Sequence, residues 1–144
     1  GEAYPSLEAY FDFWRRHPAL GDDWSDDIEA YLAYDVVKGD DGLLRSRVSS
    51  EAVRADGRDL LAAPAPIGEA LRDLRDPVHL LRAPRGMFGE PPGMQPDELV
   101  AAWAPQIGQF TDEVIDDTNH YTILMSDGGA SAVAAALGGA SAAG

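Results

Sequence analysis

The sequence predicts an α/β protein with a helical first half and a second half that alternates strand and helix. Two observations carry this. Up to Arg75, apolar residues recur at helical spacing; from Pro77 onward, short apolar runs bounded by Pro and Gly alternate with helix patterns. A length of 144 residues, 45% of them hydrophobic and 25% charged, suits one ordinary globular domain or a piece of a larger one.

Each element has its own signal. Leu7, Tyr10, Phe11 and Trp14 fall at i, i+3, i+4 and i+7, so a first helix is expected from Ser6, its N-cap, to Arg16, with Pro18 closing it. A second helix starts at Ser25, carries Asp26 and Asp27 in its first turn, and turns Ile28, Tyr31 and Leu32 inward. Tyr34–Lys38 and Leu43–Val48 flank the turn-rich Gly39-Asp40-Asp41-Gly42. This reads either as a short hairpin or as a helix end followed by an extended segment. The second is preferred, because Tyr34–Val37 continues the helical pattern. A third helix is capped by Ser49 or Ser50 and runs to about Ala62, weakened by Gly57. Pro64-Ala65-Pro66 is expected to be a connector, and Ile67 to Arg75 a fourth helix with Ile67, Leu71 and Leu74 inward.

Val78–Ala83, entered by Asp76-Pro77 and left by Pro84-Arg85-Gly86, is expected to be a buried strand. A Pro- and Gly-rich loop over 84–93 leads to a helix from Pro96 to about Trp103, with Asp97 and Glu98 in its first turn. Phe110–Ile115 reads as a second strand, and Asp112 and Glu113 place it near an edge. A loop follows over Asp116–His120, then a final helix over Ala130–Leu137 and a frayed tail from Gly138. Strand, loop, helix, strand, loop, helix is the repeat of a parallel sheet. Two strands cannot cover both faces and both edges of such a sheet, so the fold is expected to be incomplete as a single chain. The opening Gly1-Glu2, without an initiator methionine, is expected of a processed chain, an engineered chain made for expression, or a fragment.

Composition narrows the function classes. A net charge of −14 and a pI near 4.3 oppose nucleic-acid binding, which needs clustered Lys and Arg. The acidic pairs Asp22-Asp23, Asp26-Asp27, Asp40-Asp41 and Asp116-Asp117 are scattered, as solvated loops and helix starts require, and none has the spacing of a calcium loop. With no cysteine there are no disulfides, thiolate sites or cysteine nucleophiles. With three histidines and no H-E-x-x-H, no metal is expected. No membrane span or signal segment is visible, and a cytoplasmic setting is expected.

The chemistry is expected at His120. It lies just past the C-terminal end of the second strand, where open α/β sheets bind their ligands, and ahead of Tyr121-Thr122-Ile123-Leu124, which can pack the loop onto the body. From the residues alone, a surface histidine without a role is an equal reading. Asp117 is expected to stabilise the loop through local hydrogen bonds. His79 is expected to pack or to face an edge, and His17 to end a helix.

Asp117-Thr118-Asn119-His120-Tyr121-Thr122, followed by a small-residue helix, resembles the C-terminal histidine loop of the α/β-hydrolase superfamily. Asp76-Pro77-Val78-His79-Leu80-Leu81-Arg82-Ala83 resembles that family's penultimate strand, and the helices before it resemble its cap. The resemblance implies a cap or lid over 1–75 and the C-terminal strand–helix–strand–helix part of the core over 76–144. It also implies a nucleophile–histidine–acid triad without a cofactor, acting on an ester, lactone or related bond of a small molecule. His120 would take the nucleophile's proton and return it to the leaving group or, with an aspartate nucleophile, activate the water of the second step. The acid would be Glu90, the only carboxylate in the loop after the first strand, or would follow an earlier strand outside this chain.

No G-x-S-x-G elbow is present. Ser126 lacks a preceding strand, so the nucleophile is expected upstream and the chain alone is expected to be inactive. Met87 and Phe88 are pocket candidates at the catalytic end of the sheet, and Trp14 is a further one, although its helical spacing favours cap packing. The expected partner is the missing N-terminal half, or a second copy paired through the exposed sheet edge. A reading of another class is a non-enzymatic, acidic helical module that oligomerises through its aromatic face.

Overall fold

The computed structural model describes residues 2–62 and 64–141. Helix α1 (Leu7–Arg15) begins where the Ser6 hydroxyl accepts from the Ala9 N–H, and α2 (Asp26–Asp35) where the Ser25 hydroxyl accepts from the Ile28 N–H. Both serines fill the same role, satisfying a first-turn donor that has no partner inside the helix. The two helices enclose the main core of Tyr10, Phe11, Leu20, Ile28 and Leu32, with Leu7, Trp14, Trp24, Tyr121 and Met125 packed around it. Tyr31, expected inward, is 52% exposed. Ile28 and Leu32, one turn apart, occupy the buried stripe, and Tyr31 lies beside it.

After α2 the chain forms an antiparallel hairpin of β1 (Val36–Lys38) and β2 (Leu44–Ser46). The helical continuation preferred from the sequence ends at Asp35, and an extended pair takes over. Turn chemistry decides this. Gly42 takes the left-handed φ of 80°, the Gly39 N–H bonds the Leu43 carbonyl, and Asp41 accepts from the Leu43 N–H and from Arg45. Arg45, then the Leu43 N–H, hold the Asp41 carboxyl down to about 2.

Helices α3 (Ser50–Ala62) and α4 (Pro64–Asp73) follow. The expected Pro64-Ala65-Pro66 connector is the first turn of α4, where a missing N–H costs a helix nothing. The placement expected of Ile67 lies outside the described side chains. Leu74, expected inward, falls beyond the helix end and is 43% exposed.

The second half contains β3 (Val78–Arg82), α5 (Asp97–Trp103) with a 3-10 turn (Ala104–Gln106), β4 (Phe110–Val114), α6 (Thr122–Met125) and α7 (Asp127–Ser141). Strands β3 and β4 pair in parallel, Val78 opposite Phe110 through Arg82 opposite Val114. Among the described residues no third strand joins them. The expected burial of β3 is therefore only partial, and β4 is exposed at four of its five positions. A cleft of about 710 Å³ remains between the sheet and its helices, bounded by Leu71, Val78, Leu80, Leu99, Trp103 and Ile107. Arg82 ties this half together, with its guanidinium 2.6 Å from Asp97 and 2.7 Å from Asp112. The final helix starts earlier than expected, because Ser126 accepts from the Gly129 N–H. It runs through residues 138–141 of the expected tail; the remainder, 142–144, lies outside the described residues. Among the described residues, no helix is long and apolar enough to cross a membrane.

Candidate functional site

Because β3 and β4 are parallel, the loops that follow them, 83–96 and 115–121, leave from the same end of the sheet. The pairing continues beyond the strands. The Ile115 N–H donates to the Arg82 carbonyl at 3.0 Å, and Arg85 bridges to Asn119 in parallel register. The Arg85 guanidinium donates to the carbonyls of Thr118 (3.3 Å) and Asp117 (2.9 Å). Asp117 has a φ of 59°, a left-handed conformation that aspartate tolerates better than most residues. The side-chain bonds expected of Asp117 are made instead by its neighbours. The Thr118 hydroxyl donates to the Ile115 carbonyl at 2.6 Å, and the rest come from Asn119.

Asn119 is fully buried and bonded through both ends of its amide. Its Oδ1 accepts from the N–H groups of Tyr121 (2.9 Å) and Thr122 (3.0 Å). Its Nδ2 donates to the Ala19 carbonyl at 2.8 Å, and its own N–H donates to the Thr122 hydroxyl. The backbone on either side of residue 120 is therefore fixed, while the His120 ring is exposed and lies edge-on to Tyr121 at 5.0 Å. An exposed imidazole on a rigid loop can exchange protons with a group brought up to it.

Around this loop the structure gathers residues that are remote in sequence. His17 stacks on Phe88 (6.0 Å, 18° between planes) and meets Tyr121 and Trp14 at 5.6 Å each. Phe88, Trp14 and the histidine loop thus share one aromatic hub, although Phe88 keeps 69% of its surface exposed and Met87 42%. Trp14, Leu20, Ile28, Tyr121 and Met125 line an apolar cavity of about 220 Å³. Trp14 Nε1, itself buried, has no hydrogen-bond partner within bonding geometry among the described residues. Glu90 is exposed in a neighbouring cleft with Arg16, His17 and Phe88; among the described residues no hydrogen bond or ion pair joins it to His120. His79 is exposed on β3, 3.7 Å from Glu113. Among the described residues, no group of three or more His, Asp or Glu could hold a metal ion.

Burial lowers the pKa of His17 from the ordinary 6.5 and raises that of Tyr121. The unfolded chain therefore binds a proton at His17 more readily than the folded one. This contribution to stability is complete above pH 6.5 and is lost as pH falls through the folded value. Arg16, Arg85, Asp22 and Glu90 face the same cleft, so the comparison must be internal. In urea titrations at pH 7.5 and pH 5, wild type should lose more stability on acidification than His17→Gln, and parallel losses would refute it.

Sequence reading missed Arg85, Asn119 and His17 as parts of the site. Asn119 left a signal, a short amide between Thr118 and Thr122 next to the candidate histidine. Arg85 and His17 left none, because the carbonyls that Arg85 binds and the Phe88 and Tyr121 rings beside His17 lie 32 or more residues away.

No family model matches this chain, and no curated protein matches it. Solved structures do. E-2-(acetamidomethylene)succinate hydrolase superposes with a TM-score of 0.66 at 20% identity, over 87% of this chain and 42% of that one. An esterase from Mycobacterium tuberculosis superposes with a TM-score of 0.62 at 14% identity, over 95% of this chain and 44% of that one. The chain thus spans less than half the length of either, and it carries a partial α/β-hydrolase fold.

Proposed function

We propose that this chain is the C-terminal part of an α/β-hydrolase, comprising cap helices over 1–75 and the last two strand–helix units over 76–144, with His120 as its proton-transfer histidine. One observation carries the reading: His120 projects from a rigid loop at the C-terminal end of two parallel strands, where such sheets place their chemistry. The hydrolase and esterase that share the fold support it.

In this reading the nucleophile and its elbow lie upstream of Gly1. His120 accepts the nucleophile's proton as the acyl bond forms and delivers it to the leaving group. Glu90 remains the candidate acid within the chain, and an acid that follows an earlier strand, upstream, is the alternative. The apolar cavity beside Tyr121, with Trp14 in its wall, suits a small apolar acyl or ring group. Phe88 and Met87, on the other loop, suit contact with the leaving group. The partner in this reading is the upstream half, whose strands would complete the two-stranded sheet, or a second copy paired through the sheet edge.

The test compares hydrolysis of short nitrophenyl esters and lactones by this chain and by the longer protein that includes it. The longer protein should turn over, and this chain should not. Equal turnover by both would overturn the missing nucleophile, and no hydrolysis of any ester, lactone, epoxide or C–X substrate by the longer protein would overturn the hydrolase reading.

A further inference from the structure

We infer that Asn119 is a positioning residue for His120, and that it works by gripping the backbone of the α1–α2 connection, His17–Leu20. This rests on the reading of His120 as the proton-transfer group, and it adds a role for the cap segment: part of the cap holds the catalytic loop in place.

The connection is wedged between the two loops at the active end of the sheet. On one side, the Asn119 amide donates to the Ala19 carbonyl at 2.8 Å across 100 residues of sequence. On the other, Gly89 approaches so closely that a Cβ there would stand 2.9 Å from the Pro18 carbonyl oxygen and 3.3 Å from Ala19 Cα. Gly89 also holds a left-handed φ of 80°. Between these contacts the His17 ring lies against Phe88 of one loop and Tyr121 of the other. Ala19 and Leu20 are both buried, at 2% and 3% exposed, so the wedge is packed as tightly as the core.

The same amide fixes residue 120 from within its own loop, because Oδ1 holds the N–H groups of Tyr121 and Thr122. The His120 ring has no side-chain hydrogen bond of its own among the described residues. Its location therefore depends on its backbone, and its backbone depends on Asn119. A displacement of the wedge would pass through one amide to the histidine, and a shift of about 1 Å in a reacting group can cost about 100-fold in rate.

Two variants act on the two sides of the wedge. Asn119→Ser keeps a short polar side chain but cannot reach both Ala19 and the Tyr121–Thr122 N–H groups. Gly89→Ala displaces Pro18–Ala19 and touches neither Asn119 nor His120. In the longer protein, each should lower kcat by roughly 10- to 100-fold per folded molecule, with KM changed less than about 3-fold. In this chain, labelled in the histidine imidazoles, each should move the His120 NMR signal and leave that of His79 in place. Unchanged kcat and an unmoved His120 signal would overturn the inference, as would a rate loss equal to the unfolded fraction. If His120→Ala itself left the rate intact, the proton-transfer role of His120 would fall, and the imidazole spectra would still judge the positioning claim.

Discussion

Replacing His120 with alanine in the longer protein should lower ester hydrolysis by about three or more orders of magnitude while leaving the fold unchanged. The two halves of this expectation have separate causes. A nucleophile, a histidine and an acid act as a unit, so removing the proton carrier forfeits most of what the other two contribute and leaves only binding and oxyanion stabilisation. Stability should hold because His120 is exposed, with its ring edge-on to Tyr121 and no side-chain hydrogen bond among the described residues, and surface truncations of this kind usually change stability by about 0.5 kcal/mol or less. Steady-state rates on a nitrophenyl ester, with thermal melts of both proteins, measure the two effects independently. An unchanged rate with an active wild type would remove His120 from the mechanism. The non-enzymatic alternative, an acidic module that oligomerises through its aromatic face, predicts no ester hydrolysis with or without His120.

The largest stability effect is expected at Ile28, which is 1% exposed in the centre of the core. Ile28→Ala should destabilise the protein by about 2–5 kcal/mol, the usual cost of lost burial plus a cavity that neighbours only partly close. The loss is large beside a typical domain stability of about 5–15 kcal/mol, and the core is small: Tyr10, Phe11, Leu20 and Leu32 surround this one side chain. Tyr31→Ala on the same helix is the control. Its ring is 52% exposed, so its cost should stay well below that of Ile28→Ala. Urea midpoints at constant slope decide between them, and equal losses would place the core elsewhere.

The sequence alone determined where the elements begin and which chemistry one loop can carry. Ser6 and Ser25 cap helices because a short hydroxyl before an apolar stripe has a first-turn N–H to satisfy, and such pairings are local. Val78–Arg82 and Phe110–Val114 were legible as strands from their own length and boundaries. His120 was legible as a candidate because it follows the second of them. Local patterns also left real ambiguity. Tyr34–Val37 satisfied two periods at once, and a left-handed Gly42 with the Asp41 turn bonds decided for the hairpin.

Only the tertiary structure decided what surrounds the histidine. Asn119 reads as an ordinary loop amide until Ala19, 100 residues earlier, supplies the carbonyl it binds. Glu90 reads as a candidate acid from its loop, and only the packed loops set it in a cleft with Arg16, His17 and Phe88, without a hydrogen bond or ion pair to His120 among the described residues. The difference is one of range. Caps, turns and periodicity depend on residues within about four positions of one another, so the sequence states them directly. The site depends on contacts between the α1–α2 connection and two loops more than 60 residues away, and these arise only when the chain packs.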